Sequence, residues 1–266
     1  GFEEGLKEIL LTDPAEFLTT EEYLKKHPRP RMFPAGDVPA YSNYGTALAG
    51  YIVERLSGEP FDDYIERHIF APLKMERSTF RQPIPDRFKG DVSKGYMSTS
   101  EPPRHFELIT TAPAGSLSST ANDMANFMIA NLQNGQFEGH QILRPETAEF
   151  MYSPSVDLPQ GFTTMAHGFY HASENGRRVL GHGGDTIVFH TDMNFLPEEG
   201  VGIFVSFNSR GARDTVYGIR SRLFEKFMDR YFPAPDEKPL PPAIAGAADH
   251  AKELAGKYRS SRRIDS

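Results

Sequence analysis

Two short stretches carry side chains able to do chemistry. The first is Tyr41-Ser42-Asn43, which follows a proline-laced segment and precedes a helical pattern. A phenol held at a loop–helix junction accepts a proton when nearby positive charge lowers its pKa, and the amide two residues on offers both a donor and an acceptor. The second is Gly181-His182-Gly183-Gly184-Asp185, ahead of an apolar strand pattern. Its imidazole is partly protonated near neutrality and serves as a hydrogen-bonding or cationic group. Each stretch also has a plain structural reading. Ser42 or Asn43 caps a helix with Tyr41 packed beside it, and His182 sits in a glycine turn.

Other polar residues point more weakly to function. His167 and His171 are four apart, a metal-ligand spacing on a helix, but Gly168 and the aromatic neighbours put them on a strand, so no metal is expected. His190 in Phe189-His190-Thr191 either faces a cleft or is structural, the latter being commoner. Asn122-Asp123 opens a helix, and Glu3-Glu4 and Glu21-Glu22 read as solvated or first-turn charges.

The elements that must position these residues follow from punctuation and period. Thr20-Glu21-Glu22 opens a short helix, and Pro28, Pro30, Pro34 and Pro39 forbid regular structure up to Ala40. Leu48, Tyr51, Ile52 and Leu56 then recur at helical spacing, closed by Gly58. A second helix carries Phe61, Tyr64, Ile65 and Ile69 and stops at Pro72. Residues 76–115 read as one long loop, a length usually reserved for function. Ser119 or Thr120 caps a helix to Asn131, and Pro145 starts another. Beyond Gly161 the period moves toward two. Antiparallel strands are predicted at 169–171, 177–180, 187–196 and 201–207, before a helix over 213–231.

The bulk numbers restrict the partners. A formal charge of -7 argues against nucleic acid, whose phosphates need a basic surface. The basic cluster Arg259 to Arg263 lies in a C-terminal tail expected to be solvated. Zero cysteines exclude disulfides and thiolate metal sites. The apolar run Val201 to Phe207 is too short to span a bilayer. The Pro-rich stretch 233–242 reads as a linker. Residues 1–232 and 233–266 are therefore expected to be one domain and the start of a downstream segment.

Taken together, Phe33-Pro34-Ala35-Gly36, Tyr41-Ser42-Asn43-Tyr44-Gly45, Pro72-Leu73-Lys74-Met75, Gly115-Ser116-Leu117 and Gly181-His182-Gly183-Gly184 resemble, in order and spacing, the class C β-lactamase-related serine hydrolases. That group includes β-lactamases, D-amino-acid-specific peptidases and β-lactamase-like esterases. The resemblance implies an α+β, β-lactamase/transpeptidase-like fold, with an antiparallel sheet flanked by helices plus a helical subdomain. It implies that Tyr41 manages protons and that the Asp185 N–H is an oxyanion donor. Asn43, His182, Gly183 and Gly184 would bind substrate, the two glycines through close backbone approach. It implies no cofactor, a small-molecule or peptide substrate, and a periplasmic, secreted or membrane-associated setting. His182 stands where many members have lysine, which favours esters or peptides over β-lactams.

The resemblance also calls for Ser-x-x-Lys at the start of a buried helix upstream of Tyr41. Ser78, Ser116 and Ser260 are followed at the third position by Arg81, Ser119 and Arg263, and no serine has lysine there. The nucleophile is thus expected outside this chain, upstream or on a separate chain, leaving the fold incomplete at the N-terminus. The alternative is a non-catalytic ligand-binding or regulatory homologue.

Overall fold

The computed structural model describes residues 1–98, 100–156, 162–235, 245–258, 260–262 and 264–265. Helices are α1 (Thr20–Lys26), α2 (Asn43–Ser57), α3 (Phe61–Ile65, continued as a π-turn over Glu66–Phe70), α4 (Ala121–Leu132), α5 (Pro145–Tyr152), α6 (Thr215–Tyr231) and α7 (Ala247–Leu254). Five strands form the main sheet, in the order β10-β9-β8-β7-β6, every pair antiparallel. They are β6 (Thr164–Met165), β7 (Tyr170–Glu174), β8 (Arg177–Asp185), β9 (His190–Leu196) and β10 (Val201–Phe207). Short pairs join β1 (Glu4–Gly5) to β11 (Ile264–Asp265), β2 (Leu10–Leu11) to β3 (Leu108–Ile109), and β4 (Gln136–Phe137) to β5 (His140–Gln141).

The helix that presents Tyr41 and Asn43 begins and ends as its residues dictate. The Ser42 hydroxyl accepts from the Gly45 N–H at 3.2 Å, and Gly58 closes α2 in the left-handed region at φ 74°. Thr19 and Glu22 form a reciprocal capping box on α1, so the cap lies one residue before the predicted Thr20. Gly50 lets the long loop dock on α2, since a Cβ there would stand 2.1 Å from Pro113 Cγ. That loop is less irregular than predicted: Leu108 and Ile109 pair with β2, and Asp123 of α4 accepts from Arg77 N and Ser78 Oγ.

Period-two alternation splits the sheet residues between two cores. Leu180, Met193 and Phe195 face α4 and α5, packing with Met124, Met128, Tyr152 and Phe169. Val179 and Leu196 face the other way and meet Met228, Phe224 and Phe227 of α6. β8 runs on past the predicted Leu180 to Asp185, so the glycine motif is itself strand and the turn comes at 186–189. Glycine permits this because β9 crowds it. A Cβ on Gly181 would lie 2.5 Å from Met193 O and 2.4 Å from Asn194 Oδ1. Gly181→Ala is therefore expected to cost about 2 kcal/mol by overpacking, read as a lowered midpoint in urea unfolding.

Two features bear on the ends of the chain. Among the described residues β10 is an outer strand, and Tyr217, Ile219 and Leu223 of α6 are exposed. The expected linker over 233–242 lies largely outside the described residues. The tail after it reaches back to the domain, with Ile264–Asp265 parallel to Glu4–Gly5. No helix of the described residues is long and apolar enough to cross a membrane.

Candidate active site

Tyr41, Asn43 and His182 meet. The Tyr41 and His182 rings lie 6.0 Å apart, and Tyr170 of β7 completes the group, 5.3 Å from His182 and stacked on Tyr41 at 6.5 Å. Alternation explains why His182 faces this way. It shares a sheet face with Leu180, on the helical side, whereas Gly183 and Asp185 face α6. Gly184 shares the face of His182, where a Cβ would stand 2.7 Å from Thr191 Oγ1. Gly183 has ordinary room for a Cβ, and the tightest protein contacts among the glycines of this motif fall on Gly181.

Below this group lies Glu4, which is fully buried rather than solvated as expected. Its carboxylate accepts from Asn43 N at 3.2 Å, Asn43 Nδ2 at 3.3 Å and Gly5 N at 3.1 Å. A carboxylate against the first N–H of α2 compensates the positive end of that helix. Asn43 Oδ1 in turn accepts from the Tyr41 hydroxyl at 3.2 Å. Both ends of the Asn43 amide are thus engaged, fixing the rotamer that aims it at the phenol.

Electrostatics at Tyr41 run against the simplest expectation. Burial raises its pKa above the ordinary 10.0, Tyr170 adds to the rise, and Arg262 opposes it. The Arg262 guanidinium lies 4.4 Å from the Tyr41 ring centroid and donates to Glu4 at 3.1 Å, so this tail residue is not simply solvated. Burial outweighs the cation, and the phenol is protonated at neutral pH. Because the folded pKa is raised, the linked stability is full below pH 10 and falls as pH rises through the folded value. Tyr152, pushed up to about 12 by burial, acts in the same direction. Alkaline titration followed by tyrosinate absorbance is expected to show Tyr41 ionising late, and later still in Arg262→Ala.

The backbone of Asp185 has a free edge. Thr186 N–H donates to Phe189 O on the β9 side. Adjacent strand residues point their N–H groups to opposite sides, which aims the Asp185 N–H at the edge where β7 has ended, its last pairing being Tyr170 with Gly181. The Asp185 side chain is anchored on the α6 side. It accepts from Arg220 at 2.9 and 3.2 Å and lies 2.7 Å from His190 Nδ1. His190 is fully buried there, a structural placement away from His182. His182 Nδ1 lies 2.7 Å from Gly183 O and donates to it, which leaves Nε2 free of that contact and, in the neutral ring, an acceptor.

The remaining candidates stay apart from this group. His167 packs on Phe150 at 4.5 Å, and His171 lies on β7, its pKa lowered by burial. Among the described residues no three His, Cys, Asp or Glu side chains are grouped to hold a metal. Glu4, Tyr170 and Arg262 were not legible as site residues, because an acid near one end and a basic tail carry no local signal of meeting.

Comparison with known proteins gives this arrangement its relatives. The family model described as Beta-lactamase matches residues 8–224. The chain belongs to the beta-lactamase family. This is a branch of the serine hydrolases in which β-lactamases, amidases and penicillin-binding proteins share one fold. Relatives of this chain include the N-acetylmuramyl-L-alanine amidase of Bacillus subtilis (strain 168), 29% identical over 63% of this chain and 44% of its own. Penicillin-binding protein 4 of Amycolatopsis lactamdurans is 25% identical over 85% of this chain and 60% of its own. The chain thus spans about half the length of these relatives. Among solved structures, the octameric penicillin-binding protein homologue from Pyrococcus abyssi matches with TM-score 0.61 and 25% identity, over 78% of this chain and 48% of that one. The D-amino acid amidase from Ochrobactrum anthropi SV3, complexed with L-phenylalanine amide, matches with TM-score 0.64 over 82% of this chain and 66% of that one; at 22% identity the likeness concerns the fold.

Proposed function

We propose that these residues form the substrate-orienting side of a serine hydrolase cleft. Acyl transfer there runs through a serine acyl-enzyme on an ester or peptide-like amide, and the Ser-x-x-Lys nucleophile lies outside the 266 residues. The observation that carries this reading is the meeting of Tyr41 with His182 at 6.0 Å, from stretches far apart in sequence. The neutral phenol is placed to hand a proton to a leaving group. To accept one from the serine it needs more positive charge than Arg262 provides, which the lysine of Ser-x-x-Lys would supply. Asn43 and the Nε2 of His182 orient the substrate, and the Asp185 N–H offers one oxyanion donor on the open edge. An imidazole in place of lysine holds a carboxylate less firmly, which favours esters and amides over β-lactams. The outer β10 and the exposed apolar face of α6 suit docking of the part that carries the serine. A setting outside the cytoplasm belongs to the same proposal.

The rival reading, a ligand-binding homologue without a nucleophile, draws on the protonated state of Tyr41. Intact-mass analysis after a fluorophosphonate or penicillin probe separates the two. The chain extended upstream through Ser-x-x-Lys is expected to gain one adduct, and the 266 residues alone none. An extended chain that folds, carries that motif and stays unmodified overturns the hydrolase reading.

A further inference from the structure

The described residues hold one internal contact that neither the fold nor acyl transfer explains. A side chain from the C-terminal tail enters the cleft and meets Glu4, 258 positions away in sequence. We propose that Glu4 and the face of Tyr41 form a subsite for an alkylguanidinium or alkylammonium group, with Arg262 as its tethered internal occupant.

The subsite is built before Arg262 arrives. Three N–H groups, from Asn43 N, Asn43 Nδ2 and Gly5 N, fix the Glu4 carboxylate at zero exposure. A cation is the strongest hydrogen-bonding complement of a carboxylate. Arg29 lies close by, over the Gly5 backbone and 3.9 Å from Glu3. Arg262 pairs with Glu4 at 3.1 Å. Its guanidinium also lies over Tyr41, 4.4 Å from the ring centroid. A carboxylate on one side and an aromatic face on the other is the chemistry that recognises a cation on an apolar stem.

The present occupant is held lightly. The Arg262 side chain is 39% exposed while Glu4 is 0% exposed, and the tail is fastened by a pairing of two residues on each strand. So short a pairing is marginal in water. Arg262 therefore acts as a competitor at an effective concentration in roughly the millimolar range, which a ligand must overcome.

The test is calorimetric titration of n-butylguanidinium into the 266-residue chain, with n-butylurea as the neutral isostere. Arg262→Ala is expected to bind the cation about tenfold tighter than the unaltered chain. A chain ending at Tyr258 is expected to do the same, and the urea to bind neither. Glu4→Gln combined with Arg262→Ala should abolish the gain. Equal affinity in the unaltered chain and Arg262→Ala, or binding of the urea as tight as the cation, overturns the proposal. Arg262 lies in an exposed tail, so its removal leaves the domain folded even where Glu4→Gln does not. The readout needs no serine, so an inert extended chain leaves this subsite standing, and absence of cation binding leaves the hydrolase reading standing.

Discussion

On the proposed hydrolase reading, Tyr41→Phe, introduced into a chain extended upstream through the proposed Ser-x-x-Lys, is expected to lower kcat/KM by about 10²–10⁴-fold, the range for removing a positioned proton-transfer group. The substitution is narrow. Phenylalanine keeps the stack on Tyr170 and the contact with the Arg262 guanidinium, since both involve the ring. What disappears is the hydroxyl and its hydrogen bond to Asn43 Oδ1. That bond is worth about 1 kcal/mol of stability, too little to unfold the domain. The loss should therefore appear in kcat with KM little changed, because a proton-transfer group acts in the transition state. The raised pKa of Tyr41 adds a second signature. If the phenol works as an acid, activity persists up to pH 10 and falls above it, and the variant lacks that fall. Activity within threefold of the unaltered protein would reduce Tyr41 to a packing residue.

Phe195→Ala is expected to destabilise the domain by about 3–5 kcal/mol. Phe195 on β9 is fully buried, in edge contact with Tyr152 at 6.0 Å and Phe169 at 5.3 Å. It also pairs across the ladder with Leu180, two residues before His182. A cavity there removes packing from the strand that holds the imidazole in place. Urea unfolding measures the loss, and a cost below about 1 kcal/mol would contradict this packing. The variant that remains folded should also bind a cleft ligand less well, because β8 carries His182 and Asp185.

Much of this molecule was legible before any coordinate. Helix α2 could be placed within a residue, because Ser42 and Gly58 cap by local chemistry alone. The alternation from Val201 to Phe207 marked β10, and Pro145 marked α5, since each signal lies inside the element it defines. The pairing of Tyr41 with His182 came from the ordered resemblance, and no local pattern carries it.

The sequence by itself determined the main helices and strands, the caps of α2 and the two stretches that meet at Tyr41 and His182. Tertiary structure alone decided what surrounds them. Gly181 proved to be the crowded glycine because β9 presses on it, and the motif stayed strand where a turn was expected. Glu4 went from a nominally solvated acid to a buried anchor, and Arg262 from a free tail to the cleft, because charge pairing across 258 positions leaves no periodic trace. The phenol's pKa rose for the same reason: burial is a property of the assembled neighbours, and the desolvation they impose exceeds the pull of one cation.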